Sequence, residues 1–225
     1  MKHRRKKRNK KAVQLIAHTH PKLSVTEQYR LIRTNILFSS VDKEIKSLIV
    51  TSPDSSEGKS TTSANLAIVL AQQGKKVLLV DADLRKPTVH ITFKISNLEG
   101  LTSVLTKEKS LYEAISTTYI PNLSILSSGP LPPNPAELLN SDSMEMVIEE
   151  LNATFDYVVY DTPPVLAVTD PQILANKCDG VVMVVASGKT RIDQALKAKE
   201  LLEIAKSQLL GVVVNGVENA NSEYY

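Results

Sequence analysis

Residues 47–74 read SLIVTSPDSSEGKSTTSANLAIVLAQQG. SLIVTS (47–52) is a short apolar run, and SANLAIVLAQQG (63–74) has helical character with Gly74 placed as its C-terminal stop. Between them a loop closes on Gly58, Lys59 and Ser60, the second half of the phosphate-binding pattern G-x-x-x-x-G-K-[ST]. The pattern's first glycine is missing, because Pro53 stands five residues before Gly58. A bare GKS is weak evidence; its place between a strand and a helix gives it weight. A helix N-terminus concentrates free N–H donors and partial positive charge where phosphates would sit. The candidate nucleotide-binding residues are therefore Ser55, Ser56, Glu57, Gly58, Lys59, Ser60 and Thr61. Lys59 is expected to reach the β- and γ-phosphates, and Ser60 to offer its hydroxyl to Mg²⁺.

Working outward, the chain alternates strand and helix from about residue 45. KVLLVDAD (76–83), NLSILSSG (122–129), DYVVYDTPP (156–164), GVVMVVASG (180–188) and LLGVVVNGV (209–217) read as strands. PAELLNSDSMEMVIEELNATF (135–155), with a break expected near 140–143, and RIDQALKAKELLEIAKS (191–207) read as helices. The strands are continuous Val/Leu/Ile runs, which a parallel sheet covered on both faces requires. The fold class is α/β: a doubly wound, mainly parallel sheet in three αβα layers. SVTEQYRLIRTNILFSS (24–40) precedes it, with Ser24 and Glu27 at capping-box spacing. Glu27, Arg30 and Arg33 form one polar flank of that helix, beside Ile32, Ile36 and Leu37; a solvated face is the plain alternative.

Two further segments join the loop. Asp81 and Asp83 lie at the C-terminal end of a predicted strand, where ligands bind in open α/β sheets. Spacing by two puts both side chains on one face if the strand persists, and Arg85 is a ready ion partner should they be surface aspartates. Asp161 ends another apolar strand, in the position of a Walker B carboxylate near a metal. Three such features in this order, each at a strand end, do not coincide readily by chance.

Composition excludes other classes. With 225 residues and 42% hydrophobic content the chain can build a real core. No run approaches 18 apolar residues, and no apolar segment follows the basic start, so neither a membrane span nor a secretory signal is expected. The single cysteine, Cys178, excludes an internal disulfide, fits a reducing cytosol and has no evident activating partner. Residues 1–11, MKHRRKKRNKK, hold eight Lys/Arg, which leaves 19 Lys/Arg against 24 Asp/Glu in the rest. That cationic stretch fits an anionic membrane surface through residues 2–11, an acidic partner, or no partner at all. Without stacking aromatics or a recognisable module, nucleic acid is not expected.

The motifs EGKST (57–61), LLVDADLRKPTVH (78–90), SSGPLPPNPAELL (127–139) and VVYDTPPVLAVTDPQIL (158–174), with EQYRLIRTNILFS (27–39) and the final EYY (223–225), resemble a bacterial tyrosine kinase of the P-loop type. The likeness is to the cytoplasmic kinase subunits of Gram-positive capsule and exopolysaccharide systems, and covers most of residues 22–225. It implies an ATP- and Mg²⁺-dependent kinase. Lys59, Asp81, Asp83 and Arg85 would be catalytic; Ser60, Asp81, Asp83 and Asp161 would surround the metal, with Asp81 activating the tyrosine hydroxyl. Tyr224 and Tyr225 would be the phosphoacceptors, entering a neighbouring subunit, and Glu27, Arg30 and Arg33 would join subunits in a homo-oligomeric ring. A separate membrane-embedded activator of the polysaccharide co-polymerase type is implied, with the kinase at the inner face of the membrane. The division would be a basic flexible arm over 1–21, a kinase domain over 22–217 and a tyrosine tail over 218–225.

The family usually carries P-G-E-G-K-S where this chain has Ser55, Ser56, Glu57, Gly58, Lys59 and Ser60. A positive φ at Ser56 would cost roughly 1 kcal/mol or more, on the order of a tenfold weakening of ATP binding unless its hydroxyl helps. Two other readings stand beside the kinase: an ATPase switch of the partition or cell-division type, against which Asp54 stands where those proteins carry a lysine, and a ring-forming scaffold with weakened catalysis.

Overall fold

The structure, a computed structural model, describes residues 12–39 and 44–217. In chain order the elements are α1 (Ile16–Thr19), α2 (Ser24–Phe38), β1 (Ser47–Thr51), α3 (Lys59–Ala71), β2 (Val77–Asp81), α4 (Val89–Phe93), α5 (Leu101–Leu105), α6 (Leu111–Ala114) and β3 (Ile115–Thr117). Then come β4 (Leu123–Leu126), α7 (Pro135–Leu139), α8 (Asp142–Thr154), β5 (Tyr157–Asp161), α9 (Asp170–Lys177), β6 (Gly180–Ala186), α10 (Ile192–Ile204) and β7 (Leu209–Asn215). The strands form one sheet in the order β3-β4-β2-β5-β1-β6-β7. Every pairing is parallel except β3 with β4.

The unbroken apolar runs find their reason in the two cores. Leu48, Val50 and Leu79 pack with α1, α2 and α3 in one cluster. Their strand neighbours Ile49, Leu78 and Val80 pack with α5, α8, α9 and α10 in the other. Alternate residues of each strand thus face different helical layers, and neither face is left for polar side chains. Leu48, Ile49, Leu78 and Leu79 are fully buried, each contributing roughly 1.5–3 kcal/mol by its removal from water.

Several boundaries differ from expectation. Within the stretch 1–21, expected to be a flexible arm, the described residues from Gln14 to Ala17 are packed on the body. Leu15 and Ala17 are buried, and Asn65 of α3 accepts from Ala17 N (2.9 Å) while donating to Gln14 O (2.8 Å). Residues 1–11, with the basic run, lie outside the described residues, as do 218–225. The capping box at Ser24 and Glu27 does not form. Leu23 is the N-cap, and Glu27 pairs instead with Arg30. Thr26 anchors that entry by donating its hydroxyl to His20 O (2.8 Å). A capping box does occur at Ser110 and Glu113, at the start of α6. The break near 140–143 is present: α7 ends at Leu139, and Ser141 caps α8 by accepting from Met144 N.

Candidate active site

The site lies beyond the C-terminal ends of β1, β2 and β5. Strand register brings its carboxylates together, for Asp81 and Asp161 are direct partners across β2 and β5, and Asp161 also pairs with Val50 of β1. The loop after β1 runs to Gly58, and α3 begins at Lys59 rather than at residue 63. The first turn of that helix therefore belongs to the loop and presents its free N–H groups at the site. Gly58 has φ +98, and a Cβ there would stand 1.9 Å from Asn215 Nδ2, so only glycine fits. Ser56 also has a positive φ, +60.

A cavity of about 500 Å³ opens here, lined by Ser55, Ser56, Gly58, Lys59, Ser60 and Thr61 of the loop, together with Asp83 and Lys86. Glu57, expected among the nucleotide contacts, does not line it. That side chain is buried and turned away, accepting from Asp54 N (2.8 Å) and from the Thr190 hydroxyl. Val13 lines the same cavity, so the segment before α1 borders the site, a contact without any sequence signal.

Lys59 is the electrostatic centre. Its ammonium lies 3.2 Å from Asp83 Oδ2 and 3.9 Å from Asp161 Oδ1. Burial alone would lower its pKa, but Asp161, Asp83 and Asp81 outweigh that and hold it above the ordinary lysine value. β2 ends at Asp81, so strand alternation does not place Asp83; the loop that follows does. Both Asp83 oxygens are engaged, Oδ2 by Lys59 and Oδ1 by Lys86 N (2.9 Å). Asp83 therefore orients Lys59.

Asp81 is fully buried, and its Oδ2 accepts from Thr88 N and Val89 N, both at 2.9 Å. Its Oδ1 has no hydrogen-bond partner among the described residues. Burial, reinforced by the Asp161 carboxylate, pushes its pKa up to about 7 against those two N–H groups. Asp161 is likewise raised by burial, with Lys59 opposing. Its Oδ1 accepts from Ser63 Oγ (3.0 Å), the Ser60 hydroxyl faces the same carboxylate, and Oδ2 has no partner among the described residues. The orphaned oxygen of Asp161, whose carboxylate Ser60 faces, and that of Asp81, its partner across β2 and β5, are a donor set that suits Mg²⁺, which takes one or two carboxylates and fills its shell with water and phosphate. Among the described residues no three His, Cys, Asp or Glu side chains are grouped to hold a metal by themselves. Of the three carboxylates expected around the metal, Asp83 and Asp161 both pair with the Lys59 ammonium.

Arg85, expected to be catalytic, is absent from the cavity wall. It forms a two-point ion pair with the buried Asp170, Nε to Oδ2 at 2.8 Å and Nη2 to Oδ1 at 2.9 Å. It thereby ties the loop after β2 to the start of α9. Of the helix α2 trio, Glu27 and Arg30 pair at the surface, whereas Arg33 turns inward and donates to Val69 O of α3 (2.9 Å). Tyr224 and Tyr225 lie outside the described residues. Tyr160 is wholly buried, and Cys178 has its thiol pushed by burial to about 12, so neither is poised to react. Among the described residues no helix is long and apolar enough to cross a membrane.

A glycine-ended loop feeding a helix, a lysine over that helix's first turn, and two strand-end carboxylates define a P-loop nucleotide-binding protein of the NTPase class. A family model described as an AAA domain matches residues 46–196. The chain is 56% identical over 211 residues to tyrosine-protein kinase YwqD of Bacillus subtilis (strain 168), spanning 93% of this chain and 89% of that one. Among solved structures, the chimerical protein CapA2B2 superposes with a TM-score of 0.87 at 42% identity, over 92% of each chain. The kinase domain of Escherichia coli tyrosine kinase ETK superposes at 0.89 and 32%, covering 96% of this chain and 84% of that one. The chain belongs to the bacterial tyrosine-protein kinases of the P-loop type.

Proposed function

We propose that this kinase transfers the γ-phosphoryl group of ATP to Tyr224 and Tyr225 of a neighbouring subunit in a ring. Asp81 takes the phenolic proton as the tyrosine oxygen attacks the γ-phosphorus. The bond from that phosphorus to the bridging oxygen breaks, leaving ADP and a phosphotyrosine. The observation that carries this reading is Asp81: fully buried, with one unpartnered oxygen, and near enough to the Lys59 ammonium to help hold its charge. A base poised near the operating pH suits a phenol whose own pKa is about 10. Lys59 holds the phosphates, and the loop N–H groups surround them. Ser60 and Asp161, with Asp81 alongside, are the residues that would hold Mg²⁺, which neutralises charge on the phosphates when bound.

Glu27 and Arg30 remain available at the surface for subunit contact, next to exposed Leu31 and Phe38. Arg33 acts there by fixing α2 on α3. Residues 2–11 would lie against anionic lipid, beside a membrane-embedded activator of the polysaccharide co-polymerase type. Through that partner the kinase would regulate capsule or exopolysaccharide synthesis.

Incubating the chain with Mg-ATP and its activator, then mapping phosphotyrosine by mass spectrometry, tests the scheme. Phosphate is expected on the tail, and is expected to vanish in Lys59→Met and in the Tyr224→Phe/Tyr225→Phe double variant. Hydrolysis of ATP without phosphotyrosine would establish an ATPase switch instead. Neither activity would leave a scaffold.

A further inference from the structure

The phosphate loop is held from outside the site, by residues at the far ends of β6 and β7. Lys189, in the turn between β6 and α10, donates through Nζ to Ser55 O (2.7 Å) and to Ser56 O (2.9 Å). Asn215, at the end of β7, donates through Nδ2 to Glu57 O (3.1 Å). Thr190, beside Lys189, donates to the buried Glu57 carboxylate and accepts from Ala186 N (2.8 Å), which ties that hydroxyl to its own turn. Three successive loop carbonyls are therefore drawn to one side. The peptides are trans and planar, so the N–H groups of residues 56, 57 and 58 point the other way. Ser56 and Gly58 line the nucleotide cavity.

The middle of these three carbonyls lies on the strained residue. Ser56 holds φ +60 without being glycine, a conformation that persists only where its surroundings impose it. Lys189 holds the carbonyls of the two peptides that flank Ser56, which are the groups that would rotate if Ser56 relaxed.

We propose that Lys189 is a positioning residue for nucleotide binding, a cationic clamp that holds the phosphate loop in its binding shape across the left-handed Ser56. Lys189 acts through the loop carbonyls and need not touch the phosphates. The proposal rests on the nucleotide-loop reading given above.

A double-mutant cycle on the full chain tests it, with affinity for a fluorescent ATP analogue and Mg²⁺ as the readout and thermal melting as the folding control. Lys189→Met is expected to weaken nucleotide binding about tenfold, the scale of one charge-assisted pair of hydrogen bonds. It should raise KM while changing kcat at saturating ATP by less than about threefold. In a Ser56→Gly background, where positive φ is cheap, the same substitution should cost no more than about threefold. Lys189→Arg, which keeps both charge and donors, should restore most of the affinity. Equal losses from Lys189→Met with and without the Ser56→Gly change would mean that Lys189 acts as a remote charge on the nucleotide, and would overturn the clamp. So would a Lys189→Met affinity within about twofold of the unaltered chain. Failure of the unaltered chain to bind Mg-ATP would overturn both the clamp and the nucleotide-loop reading; binding with no effect of Lys189→Met overturns the clamp alone.

Discussion

The two halves of the site are built in opposite ways. The carboxylate half, Asp81 and Asp161, is placed by the register of β2 on β5 and is fully buried. The loop half, Ser55 to Gly58, is placed by side chains reaching over from β6 and β7, one of them the exposed Lys189. Strand register is cooperative, so a single substitution does not shift it. A loop held by a few polar contacts has no such reserve. The carboxylate half should therefore answer to proton concentration, and the loop half to individual surface substitutions.

The largest effect belongs to Asp81. Asp81→Asn keeps an oxygen for Thr88 N and Val89 N but loses the base, so kcat is expected to fall roughly 10²–10⁴-fold. In the unaltered kinase kcat/KM for Mg-ATP, which reports the nucleotide-free enzyme, should fall as pH drops below about 7, where Asp81 becomes protonated. The asparagine variant should lose that limb, and a limb that survived would assign the base elsewhere. The same group has a signature in stability. Its folded pKa is raised, so between about pH 4 and 7 the folded chain holds a proton that the unfolded chain has released. Stability without nucleotide should then decline as pH rises through that window, by at most about 1.4 kcal/mol per pH unit from this group. Asp81→Asn should flatten the decline. An unchanged pH slope in differential scanning fluorimetry would contradict the burial of an ionisable Asp81.

Next in size is Arg85, which sits between the two halves in character: its partner Asp170 is fully buried, while its own side chain is 39% exposed. Arg85→Ala strands a carboxylate in the interior. The cost should be about 2–3 kcal/mol in urea unfolding, less than for a wholly buried pair because water reaches the arginine side. Asp170→Asn should cost less, since it leaves no buried charge. If Arg85→Ala instead spared stability and lowered only kcat, Arg85 would belong to the chemistry and not to the scaffold.

The same contrast explains what the amino-acid sequence revealed. VLLVD and YVVYD are short apolar runs ending in aspartate, and once such runs are read as neighbouring parallel strands their ends must meet at one edge. Lys59 and Gly58 were legible for a similar local reason, since a loop–helix junction has a compact signature. Asp83 was only half legible: its presence near the site was foreseeable, but its direction was not, because β2 stops two residues earlier. Glu57 looked like a nucleotide contact from its neighbours and proved to be a brace, a distinction that rests on Thr190 more than 130 residues away. Lys189, Asn215 and Asp170 carry no local mark of their roles; long-range contact alone defines them. Residues 85–121, which form three short helices and the antiparallel edge strand β3, lack the long apolar runs that identified the other elements.

The smallest expected effect is the sharpest test of how the loop half is held. Ser56→Gly removes a strained left-handed serine but adds backbone freedom to the unfolded chain, and the two contributions, each about 1 kcal/mol or less, oppose one another. Thermal stability should move by less than about 0.5 kcal/mol. With Lys189 in place the loop already has its binding shape, so the same substitution should change ATP affinity by less than about threefold, because strain borne equally by the free and bound loop cancels from a binding equilibrium. A much larger gain in affinity would mean that nucleotide itself imposes the positive φ at Ser56, and the loop would then be shaped by its ligand and not by the ends of β6 and β7.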